Sequence, residues 1–277
     1  SYVAESTTAS GLGTSRSSDL TLADCEFVAF DLETTGLQPL WAQILEIGAV
    51  RFRSDGTELG RYQELVNPGC AIPEAAFSVH GITDDAVADK PTINDVLPRF
   101  FSFLGGAHTI ALAHNASFDH AFLATAAALH QLKVPAISLV DTLALAQQLM
   151  PNVTSYRLET LAQYFRLPCV GAHRASADSL LVKSLFVKLL RCGSQPHTLG
   201  QLMALCRPIL LSDTIAGNVP PPPGFEVLAT AIEKRQRIRI LYKSTNRGSS
   251  LREITPLRIV ESGGRYYLSA RCHFDEA

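Results

Sequence analysis

The stretch Val28-Ala29-Phe30-Asp31-Leu32-Glu33-Thr34-Thr35-Gly36-Leu37 constrains this chain more than any other. Its apolar lead-in, rich in Val and Phe, reads as a strand. Side chains alternate across a strand, so Asp31 and Glu33 project from one face while Phe30 and Leu32 point to a core on the other. Two acids on one strand face, followed by a Thr-Thr-Gly turn, suit a divalent-metal site. A solvated edge strand would carry the same two residues, so the rest of the chain must decide between the readings.

The chain has 277 residues, enough for one or two domains with a substantial core. Its charge is unevenly spread. Residues 225–277 carry ten Lys and Arg against six Asp and Glu, a net of +4, while residues 1–224 carry 14 against 20, a net of −6. An acidic body with a basic C-terminal segment results. The six cysteines show no Cys-x-x-Cys spacing, which argues against a structural zinc site and a disulfide framework. Reduced thiols in a cytoplasmic protein are expected. No apolar run approaches the ~18 residues of a membrane span, and no signal-peptide pattern opens the chain. Ser at position 1 is expected to mark a trimmed chain.

Residues 1–22, rich in Ser, Thr and Gly, are expected to form a flexible tail. Strands are expected at 28–33, 44–52 and 62–66, joined by short turns as an antiparallel meander. Strands near 109–113 and 137–142 alternate with helices at 92–104, from just before Asp119 to about 132, at 158–165 and at 176–190, which predicts an α/β layered domain over residues 23–193. A connecting segment over 194–224 holds a short helix and the Pro-rich run Pro220-Pro221-Pro222-Pro223, which excludes helix. Residues 225–277 read as a short helix and three strands, a small β-barrel or sheet.

Three further residues join the opening pair. Asp119 and Asp178 each fall in the first turn of an expected helix, where the helix N-terminus favours a carboxylate. His173 lies in a loop five residues before Asp178. Singly, each has an ordinary explanation as a cap or a solvated side chain. Together they form the set that two-metal phosphodiester hydrolysis requires: oxygen ligands for hard cations about 4 Å apart, and an imidazole able to take a proton from water near neutral pH.

The segments Phe30-Asp31-Leu32-Glu33-Thr34-Thr35-Gly36-Leu37, His114-Asn115-Ala116-Ser117-Phe118-Asp119 and His173-Arg174-Ala175-Ser176-Ala177-Asp178 resemble the three motifs of the DEDDh (DnaQ-like) 3′→5′ exonucleases. Leu45-Glu46-Ile47-Gly48-Ala49-Val50, His80-Gly81-Ile82-Thr83 and Val140-Asp141-Thr142 are also similar to that family, so the resemblance spans roughly residues 25–190. It implies a ribonuclease-H-like mixed sheet flanked by helices. It further implies Asp31, Glu33, Asp119 and Asp178 as ligands of two divalent cations, Mg²⁺ or Mn²⁺, with His173 as general base releasing nucleoside 5′-monophosphates. The backbone of Thr34, Thr35, Gly36 and Leu37 resembles the turn that holds the terminal nucleotide. His80, Asn115 and Phe118 match positions near the base or sugar. Phe118 could stack on a base, a contact worth about 1–3 kcal/mol, or serve as a core aromatic. Two departures stand out: Ser176 replaces an aliphatic residue, and Trp41-Ala42-Gln43 replaces a more polar approach to the second strand.

The C-terminal segment resembles part of a WYL domain through Ala231–Tyr242, Thr255–Val260 and Gly264–Ala270. Tyr266 stands in place of the name-giving Trp, and the chain stops at Ala277 before that family's later basic motif. The resemblance implies a small Sm-like barrel that senses a ligand or nucleic acid. Arg235, Arg237 and Arg239 are expected to alternate along a strand and contact phosphates. The expected function is therefore a metal-dependent 3′→5′ exonuclease acting on single-stranded DNA 3′ ends. RNA or oligoribonucleotides stand as the alternative substrate, and a ligand-regulated scaffold as the alternative class.

Overall fold

The computed structural model describes residues 19–105, 109–168, 173–193, 195–212, 221–244, 248–262 and 265–273. Tail residues 1–18, loop residues Gly171 and Ala172, and the Pro-rich run through Pro220 lie outside them, as do the turn residues 245–247, 263 and 264.

The strands of the main sheet are β1 (Glu26–Thr34), β2 (Ile44–Arg53), β3 (Glu58–Leu65), β4 (Thr109–Ala113), β5 (Ser138–Asp141) and β6 (Ile209–Leu210), in the spatial order β3-β2-β1-β4-β5-β6. The first three form the expected antiparallel meander, β4 and β5 run parallel to β1, and β6 closes the far edge antiparallel. The helices are α1 (Glu74–His80), α2 (Asp84–Val87), α3 (Ile93–Leu104), α4 (Ala116–His130), α5 (Thr142–Leu149), α6 (Leu158–Tyr164), α7 (Ala175–Leu189), α8 (Leu199–Leu205) and α9 (Glu226–Glu233).

Helices cover both faces of the sheet, which explains why β1 and β2 are apolar almost throughout. Val28, Phe30 and Leu32 join Ile47 and Ala49 against Phe100 of α3 and Phe122 of α4. Phe27 and Ala29 join Val50 and Phe52 against Val182, Leu185 and Phe186 of α7, with α5, α6 and α8 packed around them. The acids of β1 share this second face, beyond the point where its apolar residues end.

Two boundaries differ from expectation. Order begins before Ala23: the Leu22 N–H donates to His197 O and the Leu199 N–H to Leu20 O, both at 2.9 Å, and Leu22 is buried. The segment after residue 193 also belongs to the main core. Leu202 and Cys206 pack with α7, and Leu211 is fully buried on the other face beside β6. A two-residue strand carries too little periodicity to be read from sequence. Helix α1 was likewise unexpected; it ends where Gly81 takes a left-handed φ of 67°.

The C-terminal strands β7 (Ile238–Ser244), β8 (Gly248–Ser262) and β9 (Arg265–Cys272) form a separate antiparallel sheet in the order β7-β8-β9. Among the described residues, no helix is long and apolar enough to cross a membrane.

Candidate active site

In the β1–β2 register, Asp31 lies opposite Gly48 and Glu33 opposite Glu46, so all four positions share the face turned toward α7. Asp178 enters from the first turn of α7. One carboxylate oxygen from each of Asp31, Glu33 and Asp178 lies within 4.8 Å of the other two. That triad does not include Asp119, which is only 3% exposed in the first turn of α4. Pairing of β1 with β4 stops at Ala29, which leaves the acid-bearing end of that strand edge to the start of α4. Asp119 is near enough there for its charge to act on Asp31.

Burial raises all four carboxyls. Desolvation dominates at Asp31, and the charges of Asp119, Glu33, Asp178 and Glu46 push it further. Glu33 is driven to about 8 by desolvation and then by Asp178 and Glu46. Desolvation raises Asp119 against opposing hydrogen bonds from its own backbone N–H and that of Leu32. Asp178 rises by desolvation, opposed by the His173 N–H and charge. These are crowded, hard oxygen donors, and Arg174, the cation beside them, is committed to Glu46. Such a donor set fits divalent cations of the Mg²⁺ or Mn²⁺ type.

A stability prediction follows from the sign of these shifts. Each folded-state carboxyl holds its proton more tightly than the unfolded chain does. Each contribution is full below the ordinary carboxylate range and is lost as pH rises above it, for Glu33 through about 8. Bound cations should relieve that repulsion. The rise in melting temperature on adding millimolar Mg²⁺ should therefore be larger at pH 8.5 than at pH 5. An equal rise at both would show that the metal does not engage these carboxyls.

His173 is exposed, has a φ of +64°, and donates its backbone N–H to Asp178 Oδ2 at 3.1 Å. Its peptide thus shares an acid with the triad, and the residue is exposed there. The Thr34 Oγ1 donates to Gly36 O at 2.8 Å, and Leu37 stands 79% exposed on the turn. Asn115 is exposed with a φ of +64°, its N–H donated to Asp141 Oδ1 at 2.9 Å. Phe118 is half-buried, its ring centroid 4.9 Å from that of Phe122, so it is partly a core residue. His80 is buried; its Nδ1 accepts the Ile82 N–H at 3.0 Å, while Nε2 lies near the Thr34 backbone without a hydrogen bond of normal geometry.

The expectation for the C-terminal arginines needs correction. Arg235 follows α9 with a φ of +50°, and β7 begins only at Ile238, so the three do not alternate along one strand. Arg237 lies 3.6 Å from Glu253. Arg239 alone of the three is in the strand and exposed.

Sequence reasoning noted Glu46 and Gly48 without giving them a task. Glu46 is fully buried and takes both Arg174 Nε (3.0 Å) and Nη2 (2.8 Å), the Ala175 N–H (3.1 Å) and Gln63 Nε2 (2.8 Å). Burial alone would raise its carboxyl, but these hydrogen bonds and the Arg174 charge hold it below its ordinary value. The clamp ties β2 to the residues that start α7, between His173 and Asp178. Gly48 makes room for it, since an added Cβ would sit 2.1 Å from the Ala175 backbone carbon. A glycine inside a strand pattern is the signal that foretells such an approach. Gly48→Ala should displace the start of α7 and reduce turnover about a hundredfold, the usual cost of ~1 Å misplacement. Steady-state kinetics beside a melting curve would check this; near-normal turnover would show that the α7 start is not critical.

A profile of the exonuclease family (RNase T type) matches residues 28–186, more than half of the chain. The chain belongs to that exonuclease family. A WYL-domain profile matches residues 223–277. The DNA polymerase III epsilon subunit of Treponema pallidum is 38% identical over 166 residues, 59% of this chain and 76% of that protein. A Mycobacterium tuberculosis protein named as a bifunctional exonuclease/endonuclease is 32% identical over 273 residues, 90% of this chain and 42% of that one. A match of that breadth must reach into the C-terminal segment. Crystalline Escherichia coli exonuclease I in complex with a dT13 oligonucleotide shares the fold, with a TM-score of 0.55 and 20% identity over 60% of this chain and 41% of that one. The chain spans only 12% of the length of the PolC-type DNA polymerases it also matches. The mixed sheet flanked by helices that the motif resemblance implies is present, with six strands, and is the fold of this exonuclease family.

Proposed function

We propose that this chain is a metal-dependent 3′→5′ exonuclease that hydrolyses single-stranded DNA from its 3′ end. The observation that carries the reading is the convergence of Asp31, Glu33 and Asp178 within 4.8 Å, drawn from a strand and a helix separated by 145 positions in sequence. Membership of the exonuclease family supports the same chemistry.

Asp31, Glu33 and Asp178 would hold divalent cations, with Asp119 buried beside them. Cations held there supply Lewis-acid stabilisation of charge on the attacking and leaving oxygens. His173 takes the proton of the attacking water; the water oxygen bonds to phosphorus, the P–O3′ bond breaks, the O3′ left on the shortened strand takes a proton from solvent, and a nucleoside 5′-monophosphate leaves. The Thr34–Leu37 turn, Asn115 and the exposed part of Phe118 hold the terminal nucleotide. The exonuclease body would extend through β6, with the 223–277 module appended to it. The basic balance of that module favours a single strand as the substrate held beside an acidic body.

Substrate choice is tested with equal-length single-stranded DNA, RNA and blunt duplex, each 5′-labelled, under Mg²⁺ or Mn²⁺. Single-stranded DNA should be shortened fastest. Faster shortening of RNA would move the assignment to oligoribonucleotides.

A further inference from the structure

The loop joining β1 to β2 carries the only tryptophan of the chain, at a position the catalytic reading leaves unused. The Thr35 N–H donates to Gln43 O, and the Gln43 N–H to Thr35 Oγ1, each at 2.9 Å, so the loop is closed at its base. Ala42 is buried beneath it, whereas Trp41 is 55% exposed and Leu37 79% exposed. The indole meets Tyr267 of β9 edge to face, with ring centroids 6.3 Å apart. Tyr267 is half-buried, and the neighbouring Tyr266 is 49% exposed. The contact joins a loop that starts two residues after Glu33 to the sheet of the basic segment.

We propose that Trp41 and Tyr267 form a stacking station for single-stranded nucleic acid, holding bases a few nucleotides upstream of the bond cut at the acid triad. The inference rests on the exonuclease reading above. Every base offers a π-face, so stacking on aromatic side chains grips a strand without reading its sequence. A contact serving only to latch two modules together would bury its aromatic rings, yet more than half of Trp41 stays open. Continuity decides the occupant. The same closed loop bears Leu37 at the terminal-nucleotide turn and Trp41 at the C-terminal sheet, and the sheet lies in the segment with net charge +4. A strand passing from one to the other would move from the segment with net charge −6 to the segment with net charge +4 as it leaves the site.

Because Trp41 is the sole tryptophan, its emission reports the event directly. Asp31→Asn protein in Mg²⁺, which leaves the oligonucleotide intact, should show quenched emission on saturation with dT10 and none with dT2. In the active chain, Trp41→Ala and Tyr267→Ala should each raise KM for dT10 about tenfold at unchanged kcat and leave dT2 hydrolysis intact. Trp41→Phe and Tyr267→Phe, which keep a ring, should restore most of the affinity. Saturation by dT10, followed through the anisotropy of a labelled 5′ end, with no change in emission would overturn the proposal. So would an equal loss on dT2 and dT10, or a failure of the Phe variants to restore KM while their melting temperatures match that of the parent. Failure of the unaltered chain to shorten either dT10 or dT2 in Mg²⁺ or Mn²⁺ is a separate result that overturns the exonuclease reading itself.

Discussion

Asp31→Asn should lower turnover on a single-stranded oligonucleotide by about a thousandfold or more, while the chain stays folded. The size follows from what the residue is asked to supply. A Lewis-acid site contributes several kcal/mol to the transition state, and each ~1.4 kcal/mol is a factor of ten in rate. Asp31 stands at the centre of the cluster: Asp119, Glu33, Asp178 and Glu46 all act on its carboxyl. The amide keeps the shape of the carboxylate but removes one negative charge from a crowded group. Two measurements then move in opposite directions. In EDTA the variant should melt at or above the parent, because repulsion is relieved. In Mg²⁺ it should gain less stability than the parent and should hardly turn over. Retention of a tenth of the parental kcat would remove Asp31 from the reaction.

His173→Ala should reduce kcat by about 10²–10⁴-fold, the range for loss of a general base, and should leave Mg²⁺-dependent stabilisation near that of the parent. The residue reaches the triad through its backbone N–H on Asp178 Oδ2, a bond that alanine keeps. Its φ of +64° complicates the alanine variant, because a left-handed backbone strains most side chains. His173→Asn separates the two effects, since asparagine tolerates that conformation and cannot take the proton. Equal losses in both variants point to proton transfer. Recovery in the Asn variant would make the backbone, and not the imidazole, the reason for the loss.

The strand position of Asp31 and Glu33 and the first-turn positions of Asp119 and Asp178 were legible because local rules locate them; His173 was singled out beside them only by the motif resemblance. The main sheet was legible for the same reason, since β1, β2 and β4 are apolar runs bounded by turn residues. Tertiary partners were not. Nothing in local pattern says that Glu46 meets Arg174, 128 residues later, although Gly48 inside a strand hinted at a close approach. Strand β6 is two residues long and exists only because β5 offers it an edge. Arg235, Arg237 and Arg239 misled for a related reason. Alternation in sequence has meaning only once a strand has begun, and Arg235 sits in the turn that ends α9.

An end-labelled ladder tests metal-dependent 3′→5′ hydrolysis most directly. A 5′-labelled single-stranded DNA incubated with the intact chain in Mg²⁺ or Mn²⁺ should shorten stepwise from its 3′ end, release nucleoside 5′-monophosphates, and remain full length in EDTA. Full-length substrate under every metal condition, or shortening that persists in EDTA, would contradict it.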